Sequence, residues 1–344
     1  MHPKLLAHIS TAIHDATHRP FTLRATTPIG GGSINEAYRL EGTDGSHYFL
    51  KINGARHLPM FIAETQGLNA IAATNTIRAP RPIACGSADK QSYLVLEYLE
   101  LSLRSDAKLL GEQLAALRRC TANSTSVNTN ATTSLPSCRG KDRMGVDTLH
   151  TLTSTPSLTL PLQGGGDNKA SSCFGFAQDN FIGTTPQPNG WKTSWIDFWR
   201  EQRLGFQLRL AAQNGYGSQL QSLGEELQDA LSAFFANYTP QPSLLHGDLW
   251  SGNHAFLPDG TPAIFDPAAY YGDRECDLAM TELFGGYPAN FYTAYRAAHP
   301  LDAGYATRRD LYNLYHILNH ANLFGGGYAR QAEQMMRRLL AETG

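Results

Sequence analysis

The chain carries almost no net charge. Its 28 Lys and Arg stand against 30 Asp and Glu over 344 residues, a formal net charge of −2. That balance gives no basic footprint for nucleic acid and none for an anionic membrane surface. No run is long and apolar enough to span a bilayer. Met1 to Pro20 breaks up its apolar residues with His, Asp and Arg, so it reads as neither a signal peptide nor an anchor. The five cysteines are odd in number and irregular in spacing, which argues against a disulfide framework and fits a reducing compartment. A cytoplasmic monomer without nucleic-acid or membrane partners is expected. Also missing is the Gly-Lys-Ser/Thr ending that would turn a glycine-rich stretch into a P-loop.

What the chain does have is centred on Leu244-Leu245-His246-Gly247-Asp248-Leu249-Trp250-Ser251-Gly252-Asn253. An apolar run ends in His-Gly-Asp, and an Asn follows the Asp by five residues. A second short apolar run, Ala263-Ile264-Phe265, ends in Asp266, thirteen residues beyond that Asn. Phosphoryl transfer from a nucleotide needs these groups. One carboxylate orients the attacking hydroxyl and accepts its proton, while a carboxamide oxygen and a second carboxylate hold the magnesium ions on the phosphates. Asp248 is the candidate base, and Asn253 and Asp266 are the candidate metal ligands. The plainer alternative is a loop and hairpin in which Asp and Asn serve as turn residues.

Upstream, Lys4 to Ala16 has helical spacing, with Leu5, Ile9 and Ile13 on one face. Gly30-Gly31-Gly32-Ser33 then lets backbone N–H groups approach phosphate oxygens. Ala37 to Leu40 and His47 to Ile52 read as hairpin strands around Gly42-Thr43-Asp44-Gly45. Lys51 sits inside the apolar Tyr48-Phe49-Leu50-Lys51-Ile52 and needs either water or a partner. The helix expected over Leu58 to Ala73 offers Glu64 as that partner, leaving Lys51 to meet the α/β-phosphates of ATP. A strand over Leu94 to Leu99 would lead into a hinge where the backbone of Glu97, Tyr98 and Leu99 meets the adenine edge. A helix over Ser105 to Arg119 follows.

From about 120 to 172 the composition turns to Thr, Ser, Asn and Gly without periodicity, which reads as a surface insertion. Cys120, Cys138 and Cys173 do not have zinc-site spacing. Beyond it, Asp179, Asn180 and nearby aromatics are candidates to line a polar substrate site. Helices are expected from Trp195 through Leu210 and from Gln219 to Ala236. Trp250 can offer an aromatic face to a sugar or to the side chain carrying it. After Asp266 only about six residues precede Asp273, so there is no room for an activation segment. This points to a small-molecule kinase, with Asp273, Glu275 and Asp277 bracing the catalytic loop. Further helices are expected at Ala289–His299, Tyr305–Phe324 and Ala329–Leu340.

The runs Leu244 to Asn253, Asp266-Pro267-Ala268, Phe284-Gly285-Gly286-Tyr287-Pro288, Asp179-Asn180-Phe181-Ile182-Gly183 with Pro186-Gln187, and Leu318-Asn319-His320 together resemble the fructosamine kinase (ketosamine-3-kinase) family, a branch of the aminoglycoside and choline kinase-like superfamily. The resemblance covers everything but the insertion. It implies an α+β, protein-kinase-like, two-lobed fold, with an N-lobe over 1–99 and a C-lobe over 100–344. It implies ATP- and Mg²⁺-dependent phosphorylation of the sugar 3-hydroxyl of ketosamine adducts on lysine or protein, a glycation-repair reaction. Asp248 then matches the catalytic Asp, Glu97 to Leu99 the adenine hinge, and Asn253 and Asp266 the magnesium ligands. Bacterial relatives are expected to prefer ribulosamines or erythrulosamines. Some members carry a redox-active Cys in the glycine-rich loop; the matching position here is Ser33. Two alternatives stay open: an aminoglycoside, choline or homoserine-type kinase, and a silent nucleotide-binding protein.

Overall fold

The computed structural model describes residues 2–30, 34–121 and 173–343. Gly31, Gly32 and Ser33, Cys138, and the expected insertion from residue 122 to 172 lie outside the described residues. The first lobe opens with helix α1 (Pro3–Thr17), followed by strands β1 (Leu23–Ile29), β2 (Glu36–Gly42) and β3 (His47–Gly54), helix α2 (Leu58–Ala73), and strands β4 (Pro82–Ala88) and β5 (Gln91–Glu97). The strands form one antiparallel sheet in the order β1-β2-β3-β5-β4.

The two-residue alternation of a strand decides what each face of this sheet does. Leu50 and Ile52 of β3 pack with Leu40, Ile83, Tyr93 and Val95 beneath Leu5, Ile9 and Ile13 of α1. Phe49 and Lys51 point the other way, into the cleft between the lobes. Lys51 pairs in register with Ala37 on β2 and Leu94 on β5, so it stands on a central strand and not an edge. Strands β1 and β4, at the two edges of the sheet, have little apolar signature. β1 exposes Arg24, Thr26 and Thr27, and β4 begins at a proline and runs through Cys85, Gly86 and Ser87.

The second lobe is mostly helical. It contains α3 (Ala107–Leu117), the hairpin β6 (Asn180–Ile182) and β7 (Thr185–Gln187), α4 (Trp195–Phe198), α5 (Gly205–Gln213) and α6 (Ser218–Ala230). Then come β8 (Pro242–Leu245), β9 (His254–Phe256), β10 (Pro262–Ile264), β11 (Tyr270–Asp273), α7 (Glu275–Leu283), α8 (Ala289–Ala298), α9 (Tyr305–Phe324) and α10 (Tyr328–Ala341). This is the expected two-lobed α+β arrangement. Two long helices differ from expectation. Trp199–Leu204 widens into a π-helical turn between α4 and α5, and α6 ends at Ala230, its last turns tightening to 3₁₀ over Leu231–Phe235. The π turn carries Arg203 into the interior, where its guanidinium lies 4.0 Å from the Tyr270 ring centroid and donates to the carbonyl of Pro188.

Short strands place the chemistry. β8 pairs with β11, and β9 pairs with β10 as a hairpin. The loop after β8 carries His246 to Asn253, and the turn after β10 carries Asp266 to Ala269.

Candidate active site

A cavity of about 490 Å³ opens between the lobes, and its wall includes Gly30, Lys51, Glu64, Glu97, Leu99, Asp248, Trp250, Asn253 and Asp266. Lys51 is buried and donates from Nζ to Glu64 Oε1 at 2.7 Å and to Asp266 Oδ1 at 2.5 Å. One ammonium thus ties the central strand to α2 and to the turn after β10. Burial works against its charge, but the two carboxylates outweigh burial and hold it protonated. The Glu64 carboxyl is pushed up by burial, against the pull of Lys51. Helix α2 comes close because Gly67 leaves room: a Cβ there would stand 3.1 Å from Pro267 and 3.2 Å from Ala269.

Asp266 has a left-handed backbone, φ +60°, uncommon for a residue with a side chain. The chain on both sides holds it there. Ala268 N–H donates to the His246 carbonyl at 2.8 Å, and Phe265 N–H donates to the Asn253 carbonyl at 3.1 Å. Asn180 Nδ2 donates to the Ala269 carbonyl at 2.8 Å, and Gln187 Nε2 donates to the Ala268 carbonyl at 3.1 Å.

The catalytic-loop candidate is braced from below. Asp277 accepts from the backbone N–H of His246 at 2.7 Å and of Gly247 at 2.8 Å, and pairs with the buried Arg118, which also donates to the Leu244 carbonyl. Gly247 has φ +83°, and a Cβ on it would lie 2.1 Å from the Ala268 carbonyl oxygen. A side chain there would meet both a strained backbone and the Ala268 carbonyl, which explains the Gly. Burial pushes the His246 imidazole down to about 4, so it is neutral. Its Nε2 lies 2.9 Å from the Phe265 carbonyl, and its Nδ1 lies 3.3 Å from the Asp248 N–H. Those partners call for the Nε2–H tautomer.

Asp248 stands at the cleft floor. Burial, then the charges of Asp266 and Asp277, push its carboxyl up to about 7, the Asn253 hydrogen bond opposing them. Asn253 Nδ2 donates to the Asp248 carbonyl at 2.8 Å and to its carboxylate at 3.3 Å, which leaves the Asn253 Oδ1 as a free acceptor. Trp250 is 39% exposed at the cavity wall. Its carbonyl accepts from Tyr287 Oη–H at 3.0 Å, and the indole lies over Gly252, where a Cβ would be 2.3 Å away.

The structure therefore brings Lys51, Glu64, Asp248, Trp250, Asn253 and Asp266 into one cleft. One of the substrate-site candidates needs correction. Asp179 is exposed and does not line the cavity; its carboxylate accepts from the Asn189 N–H at 2.7 Å, across the base of the β6–β7 hairpin. Asn180 lines the cavity, and its amide also donates to the Ala269 carbonyl and accepts from Gln187 Nε2. Of the three expected hinge residues Glu97 and Leu99 line the cavity, while Tyr98 turns its ring to His47, centroids 5.9 Å apart. Gln187 joins this network, donating to Asn180 Oδ1 and the Ala268 carbonyl and accepting from Tyr315 Oη–H; the sequence marked it only through the Pro186-Gln187 run.

The sequence profile of the family described as fructosamine kinase matches residues 5–132 and 163–342. The chain belongs to the fructosamine kinase family. The unmatched 133–162 falls inside the expected insertion. A probable ketoamine kinase of Synechocystis is 43% identical over 335 residues, covering 96% of both chains. The chloroplastic protein-ribulosamine 3-kinase of Arabidopsis thaliana is 37% identical over 306 residues, covering 88% of this chain and 79% of its own. Among solved structures, a Haemophilus somnus protein provisionally named fructosamine-3-kinase superposes with a TM-score of 0.74 at 26% identity, covering 96% of both chains. An aminoglycoside phosphotransferase superposes with a TM-score of 0.56 at 15% identity, a likeness of fold. The kinase is thus a phosphotransferase with an alcohol group as acceptor.

Proposed function

We propose that this chain transfers the γ-phosphoryl group of ATP to the sugar 3-hydroxyl of ketosamine adducts on lysine or protein, a step in glycation repair. One observation carries the reading: a single cleft holds a protonated Lys51 and, facing it, Asp248, Asn253 and Asp266. The 37% identity to a plant ribulosamine 3-kinase supports the choice of acceptor.

The donor set suits Mg²⁺. Asn253 keeps its Oδ1 free, and Asp266 gives one oxygen to Lys51 while its side chain stays 45% exposed. These are hard oxygen donors with room for water and phosphate oxygens beside them. Asn253 and Asp266 would hold the ion, which when bound neutralises charge on the β- and γ-phosphates. Lys51 holds the phosphates, and its pairing with Glu64 and Asp266 fixes where its ammonium sits. The hinge backbone at Glu97 to Leu99 accepts the adenine edge. Asp248 accepts a hydrogen bond from the sugar hydroxyl and takes its proton as the γ-phosphoryl group moves in line. Its raised affinity for a proton suits a base that works near neutrality. The exposed Trp250 ring packs against the sugar or the lysyl stem. Catalysis here is positioning and charge neutralisation.

The test is a substrate panel with MgATP, in which ribulose-lysine, erythrulose-lysine and fructose-lysine are set against an aminoglycoside, choline and homoserine. ATP consumption with the ketosamines, and more with ribulose-lysine than fructose-lysine, is the expected result. Consumption only with the other alcohols, or with none, would overturn the proposal.

A further inference from the structure

The segment Arg78 to Arg81 runs between two strands that a nucleotide must touch together. On one side the Arg78 carbonyl accepts from Ile264 N–H at 2.9 Å, extending the β9–β10 hairpin two residues before Asp266. On the other side the Arg81 carbonyl accepts from Glu97 N–H at 2.8 Å, and Arg81 N–H donates to Glu97 Oε2 at 3.2 Å. The Arg78 guanidinium closes the circuit. Its Nη2 donates to Glu97 Oε1, and its Nη1 donates to the Ala79 carbonyl at 3.1 Å. Pro80, within the segment, lines the cleft.

The geometry points to Arg78 as a positioning residue for nucleotide binding, clasping the strand end at the adenine edge to the strand that carries Asp266. This rests on the ATP reading above. A nucleotide anchored at its base and at its phosphates needs both strands at a fixed separation. If that separation is held only part of the time, apparent affinity falls by the fraction of time it is correct. The pair is partly exposed, with side chains 37% and 31% accessible, so the effect is modest.

The experiment is calorimetric titration of the full-length protein with a non-hydrolysable ATP analogue and Mg²⁺, for wild type, Arg78→Ala, Arg78→Lys, Glu97→Ala and the double Ala variant. Arg78→Ala should weaken nucleotide binding by about two- to fivefold, Arg78→Lys by less. The double variant should lose no more than the worse single one, because the two side chains act as one unit. In turnover the loss should appear in KM for ATP, with kcat and the ketosamine KM unmoved. A charge-reversed pair, Arg78→Glu with Glu97→Arg, should recover part of the affinity, which also covers the case in which Arg78→Ala folds poorly. Wild-type affinity in Arg78→Ala, independent losses that add, or an equal rise in both KM values would overturn the clasp and leave the kinase assignment standing. Wild type that binds no nucleotide would overturn both.

Discussion

Two groups of charged side chains lie on either side of the candidate catalytic loop, and they are built differently. Below it, Arg118 pairs with Asp277, whose oxygens also take the His246 and Gly247 N–H groups, and Arg308 pairs with Glu275 and Asp302. Asp273 takes two tyrosine hydroxyls and the Glu275 N–H. These carboxylates are closed off by donors. Above the loop, one ammonium, Lys51, serves Glu64 and Asp266, and Asp248 stands close by with an amide as its donor. Three carboxylates for one cation leave negative charge facing the cavity. The first arrangement fixes a shape; the second leaves room for a cation.

The contrast can be broken from either side. The largest effect is expected above the loop. Asp248→Asn should lower kcat on the order of 10²–10⁴-fold while nucleotide affinity, read by calorimetry, stays near wild type. Below the loop, Arg118→Met leaves Asp277 buried without its partner, and should cost about 3–5 kcal/mol in denaturant unfolding. A loss under about 1 kcal/mol, typical of exposed pairs, would show that the lower group does not work as a closed pair. Gly247→Ala forces a left-handed backbone and a collision with Ala268, for a cost of about 1–3 kcal/mol. Turnover should fall with it, since the loop and the Asp266 turn touch at that point.

The smallest effect separates the two groups by pH. Burial, then the charges of Asp266 and Asp277, push the Asp248 carboxyl from its ordinary 3.8 up to about 7 in the fold. The folded protein holds that proton longer than the unfolded chain. Asp248 therefore adds stability below about pH 4 that is lost as pH rises toward 7. Asp248→Asn removes that loss. Measured in EDTA, its Tm should exceed wild type by a few degrees at pH 8 and approach it near pH 4. A Tm difference independent of pH would mean that Asp248 is not under-compensated.

Much of this could be read along the chain because the key groups are near neighbours in sequence. One loop and one short hairpin span Asp248 to Asp266, and a strand followed directly by a helix brings Glu64 to Lys51. Buried helix faces such as Leu5, Ile9 and Ile13 were legible for the same reason. What sequence could not show is set by distant partners. Asn180 lines the cavity, but its bond to Ala269, 89 residues away, could not be read from the chain. Asp179 looks similar and instead ties the two ends of the β6–β7 hairpin. The outer strands β1 and β4 lack an alternating apolar pattern, and nothing in Trp199–Leu204 announces a π turn. Arg78 and Glu97 are each ordinary surface residues in isolation, and their meaning comes from the strands they join.

The most direct measurement is where the phosphate goes. Ribulose-lysine should be incubated with MgATP and the enzyme, and the product examined by phosphorus-proton correlation NMR. The phosphorus should couple to the proton on carbon 3 of the sugar, and Asp248→Asn should yield that product at least a hundredfold more slowly. Phosphate at another hydroxyl, release of free phosphate alone, or an equal rate from Asp248→Asn would contradict the account.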